Sequence, residues 1–163
     1  MSKVRSASIS DLGELLKCYE DIWKSLREWL PESFVDPELE RIRTPEGIDM
    51  FKRGIESKDE ILLIAEENKE VAGLARGREV AGVCDLRFLG VKKEHRHEGI
   101  GASLLNKLAE VAKERNAHKI WLLTSPRLLP AVRLYVSNGF VPEGMLRKHS
   151  HGLDMIIYSK FLE

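Results

Sequence analysis

The spacing of apolar residues separates two long helices from a series of short strands. Leu12, Leu15, Leu16, Tyr19, Ile22, Trp23 and Leu26 recur at intervals of three and four, which puts them on one face of a helix. Ser10 is the expected N-cap of that helix, with Asp11 and Glu14 in its first turn. The same interval returns at Ile100, Leu104, Leu108, Val111 and Ala112, while Lys107, Glu110, Lys113 and Glu114 fall on the opposite, solvated face. From Pro31 to Pro45 no period is visible and the segment reads as irregular, followed by a second helix over 46–57. Ile61 to Ala65 is a continuous apolar run, so it predicts a buried strand. A turn at Glu66-Glu67-Asn68-Lys69 joins it to a hairpin partner over Glu70 to Glu79, and a third strand follows over Gly82 to Val91. An edge strand over 3–8, a buried strand over Lys119 to Thr124, a short helix over Pro130 to Asn138 and two final strands over Phe140 to Leu146 and Leu153 to Leu162 complete the pattern.

Strands that first come as an antiparallel run and then alternate with helices predict an α/β (α+β) fold, with a mixed sheet covered by helices on both faces. A chain of 163 residues is the size of one domain, here 1–163. Lys and Arg number 26 and Asp and Glu 26, so the net charge is zero and nothing favours nucleic acid or an anionic membrane as partner. No apolar run reaches the roughly 20 residues of a membrane span. The first residues, MSKVRSASISDLGELL, lack the apolar core of a secretory signal, so a cytoplasmic location is expected. Cys18 and Cys84 have no CxxC spacing and no neighbouring ligand cluster, which reads as buried free thiols in a reducing compartment.

The segment Val91-Lys92-Lys93-Glu94-His95-Arg96-His97-Glu98-Gly99-Ile100-Gly101-Ala102 carries the clearest chemistry. A strand ends, a polar loop follows, and two glycines open a helix. Unpaired N–H groups and the positive end of a helix dipole then point at one place, which suits phosphate oxygens. A Rossmann fingerprint would need a third small residue where Leu104 stands, and a Walker loop would need a lysine that Ala102-Ser103 does not supply. His95 and His97 have no third partner in sequence, so no metal is assigned.

The remaining spacing, Arg96-x-x-Gly99-x-Gly101 followed by Ala102, resembles the acetyl-CoA loop of the GNAT superfamily of N-acetyltransferases. Leu89-Gly90-Val91 looks like the strand end that precedes that loop, and Ala131-Val132-Arg133-Leu134-Tyr135 through Gly139-Phe140 looks like the family's A-x-x-L-Y-x-x-x-G-F segment. The resemblance is good over 60–145 and holds for the first 60 residues only in element order. It implies a sheet of about seven strands with about four helices, strands four and five splaying apart around the cofactor. It implies acetyl-CoA as cosubstrate, its diphosphate on the loop from Arg96 and His97 through Glu98, Gly99, Ile100 and Gly101 to Ala102, and its pantetheine arm along main-chain groups of Leu89, Gly90 and Val91. Tyr135 matches the family tyrosine near the CoA sulfur, a general acid for the departing thiolate, and Asp85 stands where several members carry a carboxylate base on strand four. Leu128 departs from the asparagine that some members place three residues before the alanine at 131, which removes one polar contact expected of that subgroup.

The amine acceptor is expected between the loop after the first helix, with Trp29, Glu32, Phe34, Asp36 and Glu38, and the C-terminal hairpin, with His149, His151 and Asp154. Acidic and aromatic side chains suit a cationic amine. A domain that binds CoA without turnover and a nucleotide-binding regulator using the same loop are the competing classes. A homodimer is open, as in similar proteins, although no stripe demands one.

Overall fold

The computed structural model describes residues 2–163, which form a seven-stranded mixed sheet of order β1-β2-β3-β4-β5-β7-β6. The strands are β1 (Lys3–Ser6), β2 (Glu60–Glu67), β3 (Glu70–Val80), β4 (Val83–Val91), β5 (Lys119–Thr124), β6 (Val141–Ser150) and β7 (Leu153–Phe161). Only β4 and β5 run parallel; every other neighbouring pair is antiparallel. Five helices cover the sheet: α1 (Leu12–Ser25), α2 (Glu32–Ile42), α3 (Pro45–Glu56), α4 (Ile100–Glu114) and α5 (Leu129–Ser137).

Two cores lie on opposite faces of the sheet. Leu104, Leu105 and Leu108 of α4 pack with Ile61, Leu63, Leu86, Ile120 and Leu122, and Tyr135 of α5 joins them. On the other face Leu15, Tyr19 and Ile22 of α1, Phe34, Val35 and Leu39 of α2 and Phe51 of α3 close over Leu62, Ile64 and Leu74. The alternation Ile61/Leu63 against Leu62/Ile64 shows why β2 is a continuous apolar run: it is buried on both sides.

Two expectations change. The segment after Pro31 is not irregular but forms α2, so the helices number five rather than four. Pro37 inside the helix hides the period, because it removes one N–H donor. Val35, Leu39 and Ile42 nevertheless keep the spacing that buries one face, and tertiary burial outweighs the local cost. Ser10 does not cap α1: a short 3-10 turn over Ile9–Asp11, itself capped by Ser8, precedes the helix, Asp11 stands at the N-cap of α1, and the Asp11 carboxylate accepts the Ser8 N–H at 2.7 Å. Arg5 of β1 grips the same carboxylate at 2.8 and 2.9 Å, which holds Asp11 well below the usual carboxylate range.

The hairpin turns Asn68-Lys69, Ala81-Gly82 and His151-Gly152 all have positive φ at both positions, the geometry that matches strand twist. Ala81 is exposed, and its φ of 56° is costly for alanine. Ala81→Asn is expected to stabilise the protein by about 1 kcal/mol and to raise the melting temperature by about 2–4 °C in a thermal denaturation scan.

No helix among the described residues is long and apolar enough to cross a membrane. Cys18 and Cys84 are both buried and free, and burial pushes both thiols up to about 12.

Candidate active site

The parallel pair that holds the two halves of the sheet together is short. β4 and β5 pair only from Val83 opposite Lys119 to Leu86 opposite Leu122. Beyond Leu86 the register of β4 against β3 slips between Arg76 and Gly77, so Arg87 is the extra residue of a bulge. From there β4 follows β3 to Val91 and leaves β5, opening a gap between the strands as the family resemblance implies.

Hydrogen-bond parity decides which main-chain groups face this gap. Lys92 N–H donates to Ala72 O at 2.8 Å, which makes that pair a hydrogen-bonded one in the β3–β4 ladder. The alternation of an antiparallel ladder then turns the N–H and C=O of Val91 and Leu89 away from β3 and toward the gap, and turns those of Gly90 inward to β3. The carbonyl of Val91 is taken by Arg96 Nε at 3.1 Å. The gap-facing groups left are both main-chain groups of Leu89 and the N–H of Val91.

The loop that follows is tied down by its own charges. Arg96 donates to Ser25 Oγ at 2.5 Å and lies 5.9 Å from the centre of the Trp29 ring, and burial lowers its pKa. Lys93 pairs with Glu28, and Lys92 is buried. The basic cluster beside the loop therefore serves largely to fix the loop to α1 and the turn after it, and the loop's N–H groups remain to meet a ligand. Trp29 belongs to this anchoring, not to the acceptor side where the sequence put it. Among the described residues no carbonyl accepts from the N–H groups of His97 to Ala102, and the first bond of α4 is Ser103 N–H to Gly99 O at 3.1 Å.

The two glycines do different work. Gly99 has φ +79°, and a Cβ there would meet nothing within 4 Å, so its value is conformational and the space beside it is open. A Cβ on Gly101 would lie 3.1 Å from Leu134 Cδ2, so this glycine lets α5 dock against the first turn of α4. The next residue, Tyr135, belongs to the core on the α4 side of the sheet. Tyr135 is 6% exposed, its ring 5.7 Å from that of Phe140, and burial alone holds its phenol well above the ordinary tyrosine range.

On the opposite face the bulge has a second effect. Cys84 and Leu86 belong to the α4 core, so Asp85 faces the other way, and the bulge directs both Arg87 and Phe88 to that same side. Phe88 joins Tyr19, Trp23 and Phe34 around a cleft of about 350 Å³ closed by Ser150 and His151 of the C-terminal hairpin. Tyr19 and Phe88 lie 4.6 Å apart, and Trp23 stacks at 6.2 Å on both Phe34 and Phe88. Glu38, Arg41, Arg76 and Arg87 supply the polar wall, with Met50 among them. Of the acceptor-side residues expected from sequence, Phe34, Glu38 and His151 reach the cleft. Asp36 pairs instead with Arg27 at 2.8 Å, and Asp154 accepts the Lys148 N–H at 2.8 Å in the hairpin. Asp85 is not among the lining residues; its carboxylate meets Arg87 Nε at 3.3 Å. Phe88 and the arginines carry no local signal in sequence, because the bulge and the strand register alone bring them here.

A sheet opened between parallel central strands, with a glycine-started helix at one side of the gap and a cleft at the other, defines an acyltransferase architecture of the GNAT type. The chain belongs to the acetyltransferase (GNAT) family, whose model matches residues 20–140. Its fold is that of the PaiA N-acetyltransferase from Thermoplasma acidophilum, solved in complex with coenzyme A, at 21% identity, 99% coverage of each chain and a TM-score of 0.85. It is also similar to the ribosomal-protein-alanine N-acetyltransferase from Brucella melitensis, at 25% identity, 98% and 99% coverage and a TM-score of 0.78. The ribosomal-protein-S18-alanine N-acetyltransferase from Escherichia coli matches at 18% identity, 100% and 95% coverage and a TM-score of 0.76. No curated protein matches the chain in sequence at a significant level.

Proposed function

We propose that the protein moves the acetyl group of acetyl-CoA directly onto a primary amine. The observation that carries this is the pairing of a β4–β5 gap, edged by free main-chain groups of Leu89 and Val91, with a run of unpartnered N–H groups from His97 to Ala102 at the start of α4. Backbone donors at a helix N-terminus suit a diphosphate, and a strand with one free edge suits an amide-bearing arm. The relative solved with coenzyme A supports the same assignment. Bound there, acetyl-CoA supplies an acyl group activated as a thioester.

The chain's own residues then divide the work. The main-chain N–H at the end of β4 stabilises the oxygen that gains charge when the amine nitrogen bonds to the acyl carbon. Tyr135 gives its proton to sulfur as the carbon–sulfur bond breaks, and it is reprotonated by the proton that the new amide nitrogen releases. The ammonium's first proton leaves through water to Asp85, which shares the cleft face of β4 with Arg87 and Phe88. Burial keeps Tyr135 in its protonated, donating form.

A CoA-binding domain without turnover is the second reading, favoured by the Asp85–Arg87 pair and by the position of Asp85 outside the cleft lining. Two measurements decide. Acetyl-CoA and CoA at about 100 times their dissociation constants should raise the melting temperature by about 5 °C or more, and ATP should not. Thiol release over an amine panel should then show turnover. Stabilisation by CoA without turnover supports the second reading, and no stabilisation by either CoA species ends both.

A further inference from the structure

Two guanidinium groups in the acceptor cleft point at the same poor acceptor. Arg41 of α2 and Arg76 of β3 each direct Nη1 at the thioether of Met50, at 3.3 and 3.0 Å. A thioether sulfur is a weak acceptor, far poorer than a carboxylate oxygen for a guanidinium N–H. The other edges of both groups are clamped. Arg41 donates from Nε and Nη2 to Glu38 Oε2 at 3.2 and 2.7 Å, and Arg76 donates from Nε and Nη2 to the Glu60 carboxylate at 3.1 and 3.3 Å. These clamps orient the forks and leave the two Nη1 groups converging on the cleft wall.

Resting on the acetyl-transfer reading of this site, we propose that the acceptor is a small amine that also bears a carboxylate, of amino-acid type, and that Arg41 and Arg76 together bind that carboxylate. The two oxygens of a carboxylate match two converging N–H donors, and charge-assisted bonds of this kind are about twice as strong as neutral ones. Each arginine of the wall already has one carboxylate at its side, Arg41 with Glu38, Arg76 with Glu60 and Arg87 with Asp85, so the wall is charge-balanced and what it offers a ligand is the free Nη1 donors. A diamine has no carboxylate to offer these donors, and the oxygen of Glu38 that Arg41 leaves free, Oε1, is the acceptor for one ammonium. Between the two charged ends stand the rings of Tyr19, Trp23 and Phe88, so the middle of the acceptor is apolar.

Thiol release is measured with a set of amino acids, each beside its carboxamide and its decarboxylated amine, and with an aliphatic diamine. In the wild type the free amino acids should show kcat/KM at least about tenfold above their carboxamides, mainly through KM, because one charge-assisted hydrogen bond to a guanidinium is lost. In Arg41→Gln, and separately in Arg76→Lys, which keeps the charge beside Glu60, that ratio should fall toward one; circular dichroism and the melting temperature confirm that each variant is folded. Turnover in which carboxamides or diamines equal or exceed the amino acids overturns this proposal and leaves acetyl transfer standing. So does a preference that both folded variants retain. Absence of stabilisation by either CoA species overturns both readings, and CoA binding with no turnover of any amine overturns the acceptor assignment along with catalysis.

Discussion

Tyr135→Phe is expected to lower kcat about a hundredfold, at the low end of what a general acid contributes. The KM for acetyl-CoA and the melting temperature should move little. The substitution removes one oxygen and keeps the ring packed on Phe140, so the variant isolates the proton from the packing. Burial raises the phenol's pKa, and the sign of that shift makes two further statements. The group stays a donor throughout the ordinary working range, so the alkaline limb of the wild-type rate profile is not set by its ionisation below pH about 10. In stability, the unfolded chain releases the phenolic proton near pH 10 while the folded chain holds it, so this contribution is complete below that pH and is lost as pH rises further. Steady-state thiol release across pH tests the first statement, and denaturant titrations above pH 9 test the second. An unchanged kcat in the phenylalanine variant would assign Tyr135 to the core alone.

Gly99→Val is the second large effect, and it separates conformation from packing. A Cβ at 99 enters open space, so no neighbour is displaced. The φ of +79° is what a β-branched residue cannot hold cheaply; the strain costs about 1–2 kcal/mol of stability or is relieved by turning the peptide out of place. Turning it re-aims the N–H groups that open α4. Each hydrogen bond to a charged oxygen is worth about 1.5–3 kcal/mol, so affinity for acetyl-CoA should fall about a hundredfold or more. Isothermal titration of the folded variant measures this directly. Wild-type affinity in a folded Gly99→Val protein would remove the loop from the binding site.

How much of this was legible beforehand differs from element to element. α1 and α4 show themselves because their apolar stripes repeat every three or four residues within one stretch of chain. The loop at 96–102 was equally plain, since a strand end, two glycines and a helix start are neighbours in sequence. α2 was missed because Pro37 breaks the local pattern that its buried residues complete. Trp29, Asp36 and Asp154 stood in the right segments for an acceptor site, yet each found a nearer partner in Arg96, Arg27 and the Lys148 N–H. Asp85 matches the family's strand-four carboxylate in sequence position, yet the stretch of β4 that follows it includes the bulge residue Arg87, which changes what stands beside the carboxylate.

The amino-acid sequence by itself determined the strand and helix order apart from α2, the two-faced burial of β2 and the glycine-opened loop before α4. All of these rest on interactions within a few residues, where period and backbone freedom are written directly. Only the tertiary structure decided where β4 leaves β5, which main-chain groups of Leu89 and Val91 face the gap, and that Arg41, Arg76 and Met50 meet in one cleft with Phe88. These depend on ladder parity, on one slipped register and on side chains from α2, α3, β3 and β4, separated in sequence by up to 47 residues. Their positions are set by the packing of the whole sheet, and no local period encodes that.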